Sequence, residues 1–242
     1  MTAHDLQPSA DACRRAAENV SRVRDRVADA CRRAGRATDE VVVIAVTKYV
    51  TPAVARALAE AGCGDLAESR PQQLWERALL LADLAPRWHL VGHLQRNKIR
   101  RTLPLVSLVH TVDSLRLLEA IDAEAASAGL VPEVLVEVNL ADDPGRSGVV
   151  EADAAALVAA ASRVRHVRLR GLMGMARHPD AAAADARRDF ARLRELRDRL
   201  AREVPGDLLR ELSMGMSGDF AEAILEGSTM VRIGSALSEG LC

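Results

Sequence analysis

Short apolar runs alternate along the chain with segments in which apolar residues recur every three or four positions. The runs are typical of strands buried on both faces, and the longer spacing is typical of amphipathic helices. The pattern predicts eight strands, at residues 42–47, 64–67, 88–91, 105–109, 134–138, 167–172, 208–212 and 230–233. It also predicts a first helix at about residues 10–34 and further helices at residues 52–61, 72–82, 97–102, 115–128, 151–162, 181–203 and 220–225.

The alternation of strands and helices predicts the fold class. Strands separated by helices pair in parallel, and eight of them leave no open edge if they close into a barrel. We therefore expect an α/β fold, a single (β/α)8 TIM barrel at about residues 41–237 with an additional N-terminal helix. A doubly wound open sheet is the alternative. No linker rich in Pro, Gly or Ser divides the 242 residues, so we expect residues 1–242 to form one domain.

Charge and cysteine content exclude several classes of function. A net charge of -1, from 33 basic and 34 acidic residues, gives no overall attraction to nucleic acid or to an acidic membrane. The sequence has no N-terminal apolar segment and no stretch suited to span a bilayer, so we expect a cytoplasmic protein without a membrane partner. Cys13, Cys31, Cys63 and Cys242 are scattered, which predicts buried apolar residues and neither disulfides nor zinc.

Lys48 directly follows the first predicted strand, in the segment "VVVIAVTK". In a barrel, active sites gather where strands end, and a lysine partly removed from water can attack a carbonyl carbon. A lysine that only extends into solvent from the barrel rim fits the same position. Lys48 is therefore a candidate whose role other residues must decide.

Two loops near the end of the chain contain small and hydroxyl-bearing residues. "LSMGMSGDF" follows the seventh predicted strand and "VRIGSALSEG" includes the end of the eighth, the two places where barrels often bind phosphate. Ser213, Gly215, Gly234 and Ser235 offer hydroxyls and unobstructed amides. Turn formation alone explains either loop, but two such loops on adjacent strands favour a phosphate site.

Arg232 interrupts an otherwise apolar strand between these loops. A buried guanidinium needs a partner, either a carboxylate such as Glu137 or Glu211 or a ring nitrogen of a ligand. A lysine for an aldehyde, a phosphate cradle and an arginine for a ring nitrogen together describe pyridoxal 5'-phosphate.

Longer motifs carry a family resemblance. "AVTKYVTP", "WHLVGHLQRNK", "RGLMGMA" and "LSMGMSGDFAEAILEGSTMVRIGSAL" resemble the YggS/PROSC family, the pyridoxal phosphate homeostasis proteins, over residues 41–237. The resemblance implies a barrel similar to the N-terminal domain of alanine racemase, the fold-type III arrangement. It also implies that the cofactor, pyridoxal 5'-phosphate, is held as an internal aldimine.

Site residues follow from the matching motifs. Lys48 matches the family's Schiff-base lysine, and Arg232 matches the residue that faces the pyridine nitrogen. Such a permanent charge disfavours protonation of the nitrogen, which leaves the ring a poor sink for a carbanion. The phosphate-contacting positions match Ser213, Gly234 and Ser235. Met214 and Met216 are expected near the ring, although core packing explains them equally well. His93 is expected at the barrel mouth, where it contacts ligand or makes a structural hydrogen bond.

The chain departs from the family pattern in three places. Where relatives usually have "FGENRVQE", it has "LAESRPQQ", so Ala67 and Ser69 replace a glycine and an asparagine and bring the contact of Ser69 with ligand into question. Arg146 stands where many relatives have a lysine, and an arginine cannot serve as an alternative Schiff-base amine. The ending "GSALSEGLC" replaces "GTAIFG", and the lost aromatic residue is expected to loosen the end of the barrel or alter a pairing surface.

Three functional hypotheses follow. The first is a monomeric carrier without catalytic residues, which holds pyridoxal phosphate on Lys48 in vitamin B6 homeostasis and passes it to apo forms of pyridoxal phosphate enzymes. The second is a racemase-like enzyme acting on amino acids; it is disfavoured because alanine racemase adds a second domain and a partner's tyrosine, whereas Tyr49 is the only tyrosine here. A barrel enzyme for another phosphorylated substrate would leave Lys48 and Arg232 unexplained.

"HLVGH", residues 89–93, lacks the metalloprotease glutamate, so no metal is expected.

Overall fold

Eight parallel strands close into a barrel in the computed structural model, which describes residues 6–141, 143, 145–177 and 183–241. Each strand pairs with the next along the chain, and the eighth pairs with the first, with Ile44 beside Arg232. The strands are β1 (Val42–Val46), β2 (Asp65–Glu68), β3 (Arg87–Leu90), β4 (Leu108–Val112), β5 (Glu133–Val138), β6 (Arg168–Gly174), β7 (Glu211–Ser213) and β8 (Met230–Ile233). The predicted (β/α)8 barrel with an additional N-terminal helix is confirmed.

Helices surround the barrel. They are α1 (Ala10–Ala34), α2 (Pro52–Glu60), α3 (Pro71–Leu80), α4 (Ile99–Thr102), α5 (Leu115–Ala128), α6 (Glu151–Ala161), α7 (Ala183–Leu200), α8 (Phe220–Leu225) and α9 (Ser235–Ser238). The additional helix α1 begins after Ser9, whose hydroxyl accepts a hydrogen bond from the Ala12 amide, and ends at Gly35 in the left-handed conformation. Its apolar stripe packs on α2, α8 and α9, so it covers the barrel beside β1 and β8.

The core has an outer apolar layer and a partly polar interior. Between the strands and the helices lies a continuous layer of buried apolar side chains. A second, smaller cluster joins Leu108, Leu135 and Met173 on β4, β5 and β6. Buried polar side chains of the strands, among them His110 on β4 and Arg232 on β8, are also present. Because TIM-barrel interiors are usually filled with branched apolar residues, these polar groups need a specific role.

Two strands begin three residues later than predicted. β4 begins at Leu108 instead of 105 because residues Leu103–Leu105, with Pro104, form a 3-10 turn. β7 is Glu211–Ser213 instead of 208–212, since residues 208–209 lie in a turn that buries Leu209 against the core. Ser213 is therefore the last residue of a strand and not the first residue of a loop. The start of the predicted helix 181–203, residues 181 and 182, lies outside the described residues.

Cysteine positions agree with their predicted role. Cys31 and Cys63 are buried and Cys13 is half-buried, all three as free thiols, while Cys242 lies outside the described residues. Burial raises the pKa of the Cys63 thiol to about 11, which makes it a poor nucleophile at neutral pH. Within the described ranges, no helix combines the length and the apolar character that crossing a bilayer requires.

Candidate functional site

A cavity opens at the carboxyl end of the barrel strands. Its volume of about 410 Å³ lies within the range of roughly 300–1,000 Å³ typical of small-molecule sites. The loops after β1, β7 and β8 supply most of its wall. The lining residues are Val46, Lys48, Tyr49, Val50, Val91, Met175, Met216, Ser217, Gly218, Asp219, Arg232, Gly234, Ser235 and Ser238.

Lys48 lies in this wall, half-buried, two residues beyond the end of β1. Its Nζ is 4.8 Å from the ring centroid of Tyr49, whose side chain is 84% exposed. Lys48 also borders a second cavity, of about 440 Å³, together with Ser69 and Arg70. The lysine amine is thus accessible from two sides at the barrel mouth.

A buried ion pair fixes the loop that carries Lys48. The fully buried Glu68 accepts a hydrogen bond of 2.6 Å from Thr47 Oγ1 and pairs with Arg77 Nε at 2.9 Å. Arg77 also donates to the carbonyl of Val50. Burial raises the pKa of Glu68, although Thr47, Arg77 and Lys48 favour its charged form. Because Thr47 and Val50 flank Lys48 in the chain, Glu68 and Arg77 hold both ends of its turn.

The loops after β7 and β8 meet at Ser217. Ser217 Oγ accepts hydrogen bonds from the backbone amides of Gly234, at 3.2 Å, and of Ala236, at 3.3 Å. Gly215 permits the sharp path of the first loop: its φ is +94°, and a Cβ there would lie 2.6 Å from Ala223 Cβ. Hydroxyls and converging backbone amides of this kind form concavities that bind anions.

Arg232 lies buried inside the barrel and reaches the cavity from β8. Its Nη1 donates to Ser213 Oγ at 2.7 Å, and its Nη2 donates to the carbonyl of Gly174 at 3.1 Å. Burial lowers its pKa to about 10, while the charges of Glu137 and Asp219 oppose the shift, so it stays cationic at neutral pH.

Neither carboxylate suggested as a partner of Arg232 pairs with it among the described residues. Glu137 instead accepts a hydrogen bond of 2.6 Å from Ser147 Oγ. Glu211 lies 3.5 Å from Arg170 Nη2 and accepts from Thr229 Oγ1. The two hydrogen bonds described for the guanidinium go instead to a serine hydroxyl and a backbone carbonyl.

The structure brings four of the predicted site residues to the wall of the first cavity, at the carboxyl end of the strands: Lys48, Arg232, Gly234 and Ser235. Ser213 and Met214 are fully buried and, among the described residues, do not belong to its lining. Ser69 borders only the second of the two cavities.

His93 lies at the protein surface. Its side chain is 62% exposed, and its Nδ1 is 3.6 Å from Asp113 Oδ2. Within the described part of the chain, His93 is not among the residues lining either cavity beside Lys48. Its described contact is thus with the carboxyl group of Asp113 and not with the cavity wall.

Several lining residues were not predicted from the sequence. Ser217 lies in the quoted segment "LSMGMSGDF", but a strand end placed at residue 212 directed attention to Ser213. Had β7 been extended by one residue, the next hydroxyl in the loop would have been Ser217. Met175, an apolar residue of the wall, carried no signal that separates it from core residues, whereas Met216 was expected near the ring and does line the cavity.

Two of the segments that depart from the family motifs make defined hydrogen bonds in the structure. Arg146 Nη1 donates to the carbonyls of Ala176, at 3.1 Å, and Arg177, at 2.7 Å, and so joins the loops after β5 and β6. Residues 142 and 144 of the same segment lie outside the described residues. At the C-terminal end, Asn19 Nδ2 of α1 donates to the carbonyls of Leu237 and Glu239, which ties this segment to α1.

The described residues contain no group of three or more His, Cys, Asp or Glu side chains arranged to hold a metal ion. The polar donors at the cavity are instead an amine, a guanidinium, hydroxyls and backbone amides. Such a set suits an anionic organic molecule with an electrophilic carbon.

Known proteins share both the sequence and the fold. The family model described as alanine racemase, N-terminal domain, matches residues 18–240. The chain is 37% identical over 222 residues to the pyridoxal phosphate homeostasis protein of Aquifex aeolicus, covering 92% of this chain and 96% of that protein. It is 39% identical over 222 residues to the protein of the same name from Pseudomonas aeruginosa, covering 91% and 94%.

A solved structure of PipY from Synechococcus elongatus, with pyridoxal phosphate bound, is also similar. It superposes with a TM-score of 0.81 at 32% sequence identity, covering 92% of this chain and 99% of that one. The similarity therefore extends over nearly the whole of both chains.

Proposed function

Because the chain belongs to the family of pyridoxal phosphate homeostasis proteins, we propose that it binds pyridoxal 5'-phosphate and takes part in intracellular vitamin B6 homeostasis. The observation that carries the proposal is one cavity whose wall contains the amine of Lys48, the guanidinium of Arg232 and the loop residues Gly234 and Ser235. These groups correspond to the aldehyde, the ring nitrogen and the phosphate of that cofactor.

The residues present fit the cofactor's functional groups. The cofactor supplies an aldehyde carbon that a primary amine can attack, and Lys48 provides such an amine at the cavity wall. Arg232 offers only N–H donors, which suit an unprotonated pyridine nitrogen. Met175 and Met216 supply apolar wall for the ring.

The phosphate is assigned to the loops after β7 and β8. Ser217 Oγ and the amides of Gly234 and Ala236 already converge there, and Ser235 borders the same space. An anion in this place would take over donors that are now directed at a neutral hydroxyl. We assign Ser213 and Met214 a role behind the wall, and His93 and Ser69 no direct contact with the phosphate.

We further propose that residues 1–242 work as one monomeric, cytoplasmic domain that carries the cofactor without catalysis and passes it to apo enzymes. Racemase-like chemistry needs an acid or base on each face of the substrate, and the only phenol, Tyr49, lies beside Lys48 and is mostly exposed. A non-catalytic role also suits Arg232, because an unprotonated ring stabilises a carbanion poorly.

Covalent attachment of the cofactor to Lys48 can be tested because the sequence contains few primary amines. Lys48 and Lys98 are the only lysines in the sequence. We expect borohydride treatment of the protein with pyridoxal phosphate to attach the cofactor to the peptide containing Lys48, as read by mass spectrometry. Lys48→Ala should abolish this attachment and its absorption band because the amine is lost.

Lys98→Ala is the matched control, since Lys98 stacks over the Trp75 ring at 5.6 Å and lies outside both cavities that Lys48 borders. It should retain full attachment. Cofactor fixed to Lys98 or to the N-terminal amine in place of Lys48 would overturn the assignment. Exchange of the α-hydrogen of L-alanine in D2O above the rate with free cofactor would favour the racemase-like alternative.

A further inference from the structure

A chain of buried polar side chains crosses the inside of the barrel and ends at Arg232. Its members come from five different strands, β2, β3, β4, β7 and β8, and are Asp65, His89, His110, Ser213 and Arg232. His89 Nε2 lies 2.9 Å from Asp65 Oδ1, and His89 Nδ1 lies 3.0 Å from His110 Nε2. His110 Nδ1 lies 2.9 Å from Ser213 Oγ, which accepts from Arg232 Nη1.

Asp65 and Arg232, at the two ends of this series of side chains, fix the direction in which each hydrogen bond is donated. An ionised carboxylate only accepts, so His89 donates its Nε2 proton to Asp65. A neutral His89 then accepts at Nδ1, which requires His110 to carry its proton on Nε2. His110 in turn accepts at Nδ1 from the Ser213 hydroxyl. Ser213 Oγ still has lone pairs for Arg232, which can only donate.

With His89 neutral, only one set of tautomers satisfies all four hydrogen bonds. Burial, the largest cause, and the charge of Arg232 hold the pKa of His110 well below its usual value, in agreement with a neutral ring. Burial raises the pKa of Asp65, but hydrogen bonds from His89 and Arg87 outweigh that effect and lower it overall, in agreement with an ionised carboxyl.

We propose that Asp65, His89, His110 and Ser213 form a one-directional relay whose role is to position Arg232 and keep its remaining N–H donors facing the ligand. The proposal rests on the proposed function for the identity of that ligand, a pyridine ring with an acceptor nitrogen. The four residues are positioning residues: they contact one another and Arg232, and none of them borders the cavity among the described residues.

The relay explains how a buried guanidinium remains fully charged toward the cavity. A carboxylate in direct contact would neutralise Arg232 and compete for its donors. Here the hydrogen-bond acceptor beside Arg232 is the neutral Ser213, and the charge that anchors the relay, Asp65, is four hydrogen bonds away on β2. The nearby carboxyls of Glu137 and Asp219 are held mainly by Ser147 and the Met216 amide.

The tautomers can be measured directly on the full-length protein without added cofactor. Long-range ¹H–¹⁵N correlation spectra distinguish the two imidazole nitrogens of each histidine. At neutral pH we expect His89 and His110 to carry a single proton, on Nε2 in both rings. A proton on Nδ1 of His110, or a doubly protonated ring, would overturn the relay's direction and with it the proposal.

A second test uses Ser213→Ala, which removes the acceptor of Arg232 and the donor to His110. We expect its affinity for pyridoxal phosphate to fall on the order of tenfold, because a hydrogen bond to a charged group is lost. The absorption maximum of the bound cofactor should shift, while borohydride attachment to Lys48 persists. Ser162→Ala removes a serine hydroxyl at the end of α6, outside both cavities that Lys48 borders, and is the matched control, with wild-type affinity and spectrum expected.

The outcomes of these tests distinguish a failure of the relay from a failure of the proposed cofactor binding. If the wild-type protein does not bind pyridoxal phosphate, the proposed function fails, and the tautomers alone decide the relay. If the wild type binds and Ser213→Ala matches it in affinity and spectrum, the relay has no positioning role even though the protein is a cofactor carrier.

Discussion

At the residue scale, two buried carboxyl groups interact electrostatically with cations of the candidate site, Glu68 with Lys48 and Glu137 with Arg232. Glu68 and Glu137 are almost fully buried, and each has one carboxylate oxygen, Oε2, without a hydrogen-bond partner among the described residues. Burial raises the pKa of both groups. Ionisation of each carboxyl group therefore lowers the stability of the folded protein at neutral pH. The negative charge in turn helps to balance the positive charges of the cavity.

Glu137→Gln should relieve this cost. The folded-state pKa of Glu137 is raised by burial, so its favourable contribution is complete below its ordinary pKa of about 4.3 and is lost as pH rises through the raised value. Glutamine keeps the acceptor for Ser147 and carries no charge. We expect the variant to have a higher free energy of unfolding than wild type at neutral pH, with the difference vanishing near pH 4.

Urea unfolding across this pH range, without cofactor, measures the effect. Glu76→Gln, at an exposed position of α3, is the control and should change the free energy of unfolding by less than about 0.5 kcal/mol. A difference between wild type and Glu137→Gln that does not vary with pH would contradict the assignment of the shift to burial.

At the element scale, the site depends on short segments held by distant helices. The four-residue α9, which borders the cavity through Ser235 and Ser238, follows β8 and has little structure of its own. It is fixed by the buried side chain of Asn19 on α1, which donates to the carbonyls of Leu237 at 3.0 Å and Glu239 at 2.9 Å. The additional N-terminal helix thus stabilises one wall of the cavity.

Asn19→Leu should loosen that wall. Two carbonyls lose their donor, and the expected destabilisation is about 1–3 kcal/mol. Hydrogen exchange of residues 235–241 should accelerate more than that of the barrel strands, and the affinity for pyridoxal phosphate should fall. Glu18→Ala, on the exposed side of the same helical turn, should leave exchange unchanged. Uniform acceleration over the whole chain would mean that Asn19 acts only on global stability.

At the scale of the whole molecule, a nearly neutral chain concentrates cationic groups at the barrel mouth. The net charge is -1, yet Lys48 and Arg70 border one cavity and Lys48 and Arg232 the other. Local placement therefore attracts an anionic cofactor without an overall field that would attract nucleic acid. A carrier needs this combination, because it must bind one small anion and meet many protein partners without retaining them.

Transfer of the cofactor tests the carrier role. We expect the loaded protein to sediment as a monomer of 26.0 kDa, because its large exposed apolar side chains, among them Leu79, Leu115 and Val131, are spread over different elements. Mixed with an apo pyridoxal phosphate enzyme, it should restore activity faster than spontaneous release of the cofactor allows. Equal rates would reduce the role to storage, and a stable dimer would contradict the monomer.

Particular residues show how far sequence reasoning extends. Lys48, Arg232, Gly234 and Ser235 were predicted from strand ends and motifs, and the structure brings them to one cavity. Ser213 was placed in a loop because Leu208 and Leu209 resemble the start of a strand. An error of one residue at a strand end moves a side chain from the loop into the barrel, since the side chains of a strand alternate between its two faces.

The sequence by itself determined the eight-unit barrel, its additional helix and the family, because hydrophobic periodicity and contiguous motifs are local properties of the chain. Only the tertiary structure decided that Ser217 joins the loops after β7 and β8, that Asn19 holds α9, and that hydrogen-bonded side chains connect Asp65 to Arg232. These contacts join residues far apart in the chain, and a buried polar side chain gives no sequence signal of which partner satisfies it. Closure of the barrel selects those partners.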